Sequence, residues 1–309
     1  MVLIWDGQLK VPAASPAKMM KGTIYMKKIF ALLLAACMLT GLLAGCGTST
    51  NSAEASAPAD AASVAEAPAS AETPASTVEA PADGDKTWII ATDTVFKPFE
   101  YTDESGNFVG IDVDVLAAIA EDQGFKYELK SLGWDAAIAA CQAGQADGMI
   151  AGASITDERK ESGWMFSDGY YTATQCMAVA ADSDIAGFGD LSGKTVAVKT
   201  GTQGATYAES LQADNGFEIT YFEDSPTMYQ AVAGGQAVAC FEDTPIMAAS
   251  IKDGGLNLKI VDGSENDGAP YGFAIFNADN QKLLDMFNAG LKNIKDNGKY
   301  DEIIAKYLG

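Results

Sequence analysis

Residues 155–171 read ITDERKESGWMFSDGYY and hold Arg159, the single arginine among the 20 Lys+Arg of the chain. A guanidinium does one thing an ammonium cannot: its planar fork holds a carboxylate or phosphate by two parallel hydrogen bonds. The plain alternative is a surface residue that happens to be arginine. Thr202 and Gln203 stand in TGTQG at the start of a predicted helix, where free amides and the positive end of the helix dipole favour an anion. A phosphate-binding loop is the competing reading of that stretch, but the Lys-Ser/Thr that should follow is missing.

Other chemistries are narrowed by composition. The chain has no histidine, which removes His-based triads, His proton shuttles and most zinc sites. No metal or other cofactor is expected. Cys141, Cys176 and Cys240 lie in apolar contexts without CxxC spacing, so buried free thiols are expected rather than a disulfide framework, with one pairing among them left open. The net charge is −22, and it becomes −26 without residues 1–45, which carry five lysines and one aspartate. So acidic a surface argues against nucleic acid or anionic lipid head groups as partners.

The N-terminal part is organised for export. Residues 26–46, MKKIFALLLAACMLTGLLAGC, place two lysines before an apolar run and end in small residues and a cysteine. That is the pattern of a secretory signal, too short for a comfortable membrane span. A transmembrane anchor or an unlipidated signal peptide is the alternative. Residues 1–25 do not fit in front of it, so Met26 is expected to be the start. Residues 46–85 collapse to Ala, Ser, Pro, Thr and Glu, a composition too poor in apolar bulk to offset the entropy of ordering. A tether is predicted there.

The elements that must position Arg159 and its neighbours follow. WIIAT (88–92), YELKS (127–131) and DGMIA (147–151) are predicted strands, 112–123 and 134–143 helices, and TDESGN (102–107) a hairpin turn. The pattern then restarts with KTVAVK, the TGTQG loop and its helix, EITYF, a helix near 227–234 and AVACF. A strand over 271–276 and two helices within 280–308 end the chain. Strands alternating with helices mean βαβ units and parallel sheets in two α/β halves, with a cleft between them for a ligand.

With these pieces placed, residues 88–309 resemble the extracellular solute-binding proteins of the polar amino-acid ABC-transporter group, family 3, nearest to glutamine-binding proteins. The resemblance rests on ATDTVFKPFEY, GIDVDVLAAIA, ITDERK, FSDGYY, GKTVAVKTGT and EDTP, in that order. It implies a type II periplasmic-binding-protein fold. Lobe 1 would be 86–174 with 271–309, lobe 2 would be 175–270, and the two crossovers would act as the hinge. The ending LAGC resembles a lipobox, which would place a lipid on Cys46 and hold the protein on the outer face of the cytoplasmic membrane. The partners implied are an amino acid and the permease of an ABC importer, with the receptor a monomer.

The resemblance also assigns roles. Arg159 would grip the α-carboxylate, helped by Ser154 and by the amides of Thr202 and Gln203. Asp243 would pair with the α-ammonium, although its place before Thr244-Pro245 would equally suit a helix cap. Gly152 would offer its carbonyl to the same ammonium. Phe96 and Trp134 would flank the ligand's carbon chain, with core packing as their alternative. Asp93 and Lys199 would face its side-chain end. Glu242 stands where glutamine-binding proteins carry histidine, and Ala153 replaces a bulkier residue. The extra carboxylate favours a cationic ligand, so glutamine is expected first, with arginine, lysine or histidine close behind. A dehydratase-like enzyme using Glu242 and a tethered sensor domain are the readings from other classes.

Overall fold

The computed structural model describes residues 86–309; the predicted signal, the Cys46 site and the tether lie outside the described residues. In chain order the strands and helices are β1 (Thr87–Thr92), β2 (Tyr101–Thr102), β3 (Phe108–Val109), α1 (Ile111–Gln123), β4 (Lys126–Ser131), α2 (Trp134–Gln142), β5 (Gly148–Met149), α3 (Asp157–Glu161), β6 (Met165–Phe166) and β7 (Tyr171–Ala173). The second half has β8 (Gln175–Ala180), β9 (Thr195–Lys199), α4 (Gln203–Asn215), β10 (Glu218–Phe222), α5 (Ser225–Ala233), β11 (Ala239–Asp243), α6 (Thr244–Lys252) and β12 (Leu258–Ile260). The chain closes with β13 (Ala269–Tyr271), β14 (Ala274–Ile275), α7 (Gln281–Asp296) and α8 (Lys299–Leu308).

Local sequence explains most of these elements. In α1 the helical spacing buries Val115, Leu116, Ile119 and Ala120, and Gly124 closes the helix in the left-handed region with its amide on the Ala120 carbonyl. In α5 the carboxylate of Asp224 accepts the Thr227 amide at 2.8 Å, and Pro226 occupies the first turn, where its missing N–H costs nothing. β2 and β3 form the predicted hairpin around TDESGN.

Two five-stranded sheets result, ordered β4-β1-β5-β14-β6 and β10-β9-β11-β8-β12. Each is covered by helices over its own apolar clusters. The expectation of parallel sheets holds for β1 with β4 and β5, and for β9 with β10 and β11. It fails for β14, which runs antiparallel to β5 and β6, and for β8, antiparallel to β11 and β12. These strands adjoin the two stretches where the chain passes between the sheets, so they enter against the βαβ direction. The passing stretches pair as the two-stranded ladder β7–β13.

The predicted 271–276 strand is broken at Gly272 and Phe273. Tyr271 pairs with Tyr171 in that ladder, whereas Ala274 pairs within the first sheet. The Phe273 amide is taken between them by Ser167 Oγ at 2.9 Å. The predicted 147–151 strand shortens to Gly148–Met149, and just beyond it the Gly152 amide donates to the Asp112 carboxylate. Cys141, Cys176 and Cys240 are buried free thiols, and burial pushes the first two up to about 12.

Candidate functional site

The carboxyl ends of β1, β5, β9 and β11 carry Asp93, Gly152, Lys199 and the Glu242-Asp243 pair. This is the end of an α/β sheet where helices begin and backbone amides are left over. Trp134 opens α2, and Thr202 caps α4 by accepting the Ala205 amide at 3.3 Å while its hydroxyl donates to the Lys199 carbonyl at 2.8 Å. Gln203 is the first residue of α4, so its amide has no acceptor within the helix. Gly204 lets this loop sit against β11, since a Cβ there would lie 2.7 Å from the Phe241 carbonyl oxygen.

Arg159 lies in α3, where Thr156 Oγ1 accepts its amide at 3.2 Å and fixes the turn. Its side chain runs inward. Nη1 donates to the Ser154 carbonyl at 2.9 Å and Nη2 to the Gly201 carbonyl at 3.2 Å. The guanidinium carbon is 5.1 Å from the Trp134 ring and 5.0 Å from the Trp164 ring, at cation–π range of both. Arg159 is 9% exposed, and burial lowers its pKa to about 10 against the opposing pull of Asp243, Glu158 and Tyr271. It stays charged at neutral pH. Among the described residues its hydrogen bonds go only to carbonyls and none to a carboxylate.

The carboxylates are arranged differently. Asp93 accepts the Thr94 amide at 2.6 Å on one oxygen and Lys199 Nζ on the other, a buried ion pair between the two sheets. Lys199 Nζ also lies 5.4 Å from the Phe96 ring. Glu242 accepts from Ser225 Oγ at 2.7 Å, the Tyr229 hydroxyl at 2.8 Å and the Asp243 amide at 2.9 Å. Asp243 accepts from Gln175 Nε2 at 2.6 Å and from the Tyr271 hydroxyl. It stands at the N-cap position of α6, but its side chain makes no cap bond there. Burial, then the neighbouring Glu242, raise the Asp243 carboxyl to about 7 despite Tyr271, Gln175 and Arg159.

All these residues meet at one place. Asp93, Phe96, Trp134, Gly152, Ser154, Arg159, Lys199, Thr202, Gln203, Glu242 and Asp243, the sequence-predicted set, line a single narrow cavity together with Ala151. Two larger open grooves run along α1 and α8 on charged surface and bring no buried polar groups together. Gly152 has φ of +55°, and a Cβ on it would meet the Phe96 ring at 2.6 Å, so two cavity residues abut where only glycine fits. Sequence reasoning missed Trp164, Gly201, Gln175 and Tyr271. Two had a local signal, Trp164 five positions after Arg159 and Gly201 inside the TGTQG loop; Gln175 and Tyr271 reach the site from other segments.

Residues 88–309 match the family model described as bacterial extracellular solute-binding proteins, family 3. Among curated relatives, a "probable histidine-binding protein" of Neisseria gonorrhoeae is 31% identical over 229 residues, 74% of this chain and 85% of that one. An ABC transporter glutamine-binding protein, GlnH, of Bacillus subtilis (strain 168) is 30% identical over 289 residues, 92% of this chain and 98% of that one. A solved structure of an ancestral arginine-binding protein bound to arginine superposes with a TM-score of 0.67 at 34% identity, over 72% of this chain and 98% of that one. With two α/β lobes, a polar cavity at their strand ends and a family model matched from Trp88 to the last residue, the chain belongs to the bacterial extracellular solute-binding proteins of family 3.

Proposed function

We propose that this chain is an extracellular receptor that holds a polar amino acid between its lobes, 86–174 with 271–309 and 175–270, and delivers it to the permease of an ABC importer. The observation that carries the reading is Arg159, a buried guanidinium stacked by two indoles whose hydrogen bonds end on neutral carbonyls. A buried cation is compensated well only by an anion in its fork. In this reading the α-carboxylate takes that place, beside Ser154 and the free amides of Thr202 and Gln203. Asp243 and the Gly152 carbonyl receive the α-ammonium, and Phe96 and Trp134 flank the carbon chain. The names of the relatives, for histidine, glutamine and arginine binding, support an amino acid.

Glutamine is the first ligand. A carboxamide accepts from Lys199 and donates to Asp93 without adding charge, whereas a cationic side chain would meet the Lys199 ammonium. Glu242 already holds three donors, which weakens its pull on a cation and leaves it poorly suited as a general acid. Arginine is the second reading: the cavity lining carries three carboxylates against two cations, and a cationic ligand would balance them. A lipid on Cys46 would keep the receptor at the membrane beside its permease, acting alone as a monomer.

A thermal-shift screen of the common amino acids, on protein unfolded and refolded to strip bound ligand, tests the reading. Ligand at a hundredfold excess over Kd adds about 2.7 kcal/mol, several degrees for a domain of this size. The largest shift is expected with glutamine. A shift with a sugar or metal and with no amino acid would overturn the substrate class. Mass spectrometry of the mature N-terminus should find a lipidated Cys46.

A further inference from the structure

A second polar cluster lies behind the cavity wall. Glu100 and Asp112 are both completely buried. Asp112, in the first turn of α1, accepts the Gly152 amide at 2.8 Å and the Tyr170 hydroxyl at 2.9 Å, both on Oδ2. No donor reaches Asp112 Oδ1 or either oxygen of Glu100. The two carboxyls adjoin: the Asp112 amide donates to the carbonyl of Phe99, the residue before Glu100, at 2.9 Å, and the Asp112 charge acts on Glu100. The titratable groups around them are Asp93 beyond β1, Lys199 on β9, Tyr170 before β7 and Tyr300 on α8. The only cation of these, Lys199, is bonded to Asp93. Two carboxylates without a cation of their own cannot both ionise in a dry interior.

We infer that Glu100 and Asp112 form a one-proton pair, Glu100 donating to an ionised Asp112, and that Asp112 is a positioning residue for Gly152 in the ligand cavity. The proton sits on Glu100 because Asp112 has two other donors to stabilise its charge and Glu100 has none. The pKa directions agree: burial, then Asp112, raise Glu100 well above the ordinary range, while Asp112 rises only to about 6. The pair grips two adjoining wall residues. Asp112 holds Gly152 by its amide, and the Glu100 backbone holds Phe96, whose amide donates to the Glu100 carbonyl at 2.6 Å. The Gly152 peptide, in its left-handed conformation, is thereby oriented by a charge outside the cavity.

The positioning role rests on the cleft being the amino-acid site; the shared proton does not, and two measurements separate them. Infrared difference spectra of the full chain at neutral pH, wild type against Glu100→Gln, should show a protonated-carboxyl C=O band that the variant lacks. Absence of that band overturns the pair. Calorimetry with glutamine and with arginine should find Asp112→Asn about tenfold weaker, since a bond to a charged acceptor becomes one to a neutral amide. Glu100→Leu should also weaken binding, and Glu100→Gln, which keeps a donor towards Asp112, should lose less. Asp112→Asn binding as tightly as wild type, or Glu100→Gln binding no better than Glu100→Leu, overturns the positioning role. Should Asp112→Asn fail to fold, the Glu100 pair of variants and the infrared band decide. Wild type that binds neither amino acid refutes the reading of the cleft and leaves the shared proton to the infrared result.

Discussion

Trp134 and Gly201 lie 67 positions apart, yet the indole Nε1–H donates to the Gly201 carbonyl at 3.2 Å. The same oxygen receives Arg159 Nη2 at 3.2 Å. One carbonyl from the loop before α4 thus holds a ring and a cation from the opposite lobe, and it stands where the Arg159 fork points. Ligand affinity should depend on how these groups exchange partners.

Arg159→Lys keeps the charge and removes the fork. A charge-assisted hydrogen bond in a closed site contributes about 1.5–3 kcal/mol, so affinity for glutamine should fall roughly ten- to a hundredfold. The fold should survive, because α3 is capped through the backbone and Thr156. Titration calorimetry alongside circular dichroism checks both halves of this expectation.

Asp243 should release protons when an amino acid binds. Unliganded, its carboxyl is raised to about 7 by burial and by Glu242. An ammonium beside it favours the ionised form, so binding lowers that pKa and expels part of a proton near neutral pH. Affinity should therefore rise with pH between about 6 and 8. The unliganded fold behaves oppositely. A folded pKa above the unfolded one means the native state binds more protons, so this group's contribution to stability falls as pH rises from about 4 to about 7. Calorimetry in buffers of different ionisation enthalpy would count the protons, and none released near pH 7 would contradict the assignment of the ammonium to Asp243.

Lys199 and Asp93 form a buried ion pair across the cleft, with side chains 3% and 4% exposed. Lys199→Ala strands the Asp93 carboxylate. Inside a sealed core that costs about 3–5 kcal/mol, and opening the lobes would relieve part of it. The variant should scatter X-rays as a more extended particle without ligand and bind glutamine more than tenfold more weakly. Adding Asp93→Asn should restore compactness in part.

Glu242→Gln separates the two ligand readings. Loss of the carboxylate should leave glutamine affinity within a few-fold and weaken arginine binding if its charge reaches the cavity. A competition titration reads the ratio directly. Stability should also fall, by about 1–3 kcal/mol, because the amide can no longer accept from Ser225, Tyr229 and the Asp243 amide together.

Much of this protein was legible in its sequence because the deciding interactions are local. The lone guanidinium, the TGTQG turn into α4 and the helical spacing of Val115, Leu116 and Ile119 are all settled within a few residues. Of the cavity residues, Arg159 was marked by its type and Thr202 and Gln203 by their place at a helix start; the others were named only through the resemblance to family 3, because they come from segments far apart in the chain.

Tertiary structure decided what depends on distant segments meeting. Nothing near Arg159 announces that Gly201 will accept from it across the cleft, or that Trp134 of the same lobe will stack on it. The mixed direction of the sheets follows from where the chain crosses between lobes, and periodicity carries no sign of strand direction. Glu100 stands in an ordinary loop and Asp112 in an ordinary first helical turn, where an acid suits the dipole. Only packing buries both side by side, 0% exposed, and makes one proton between them necessary.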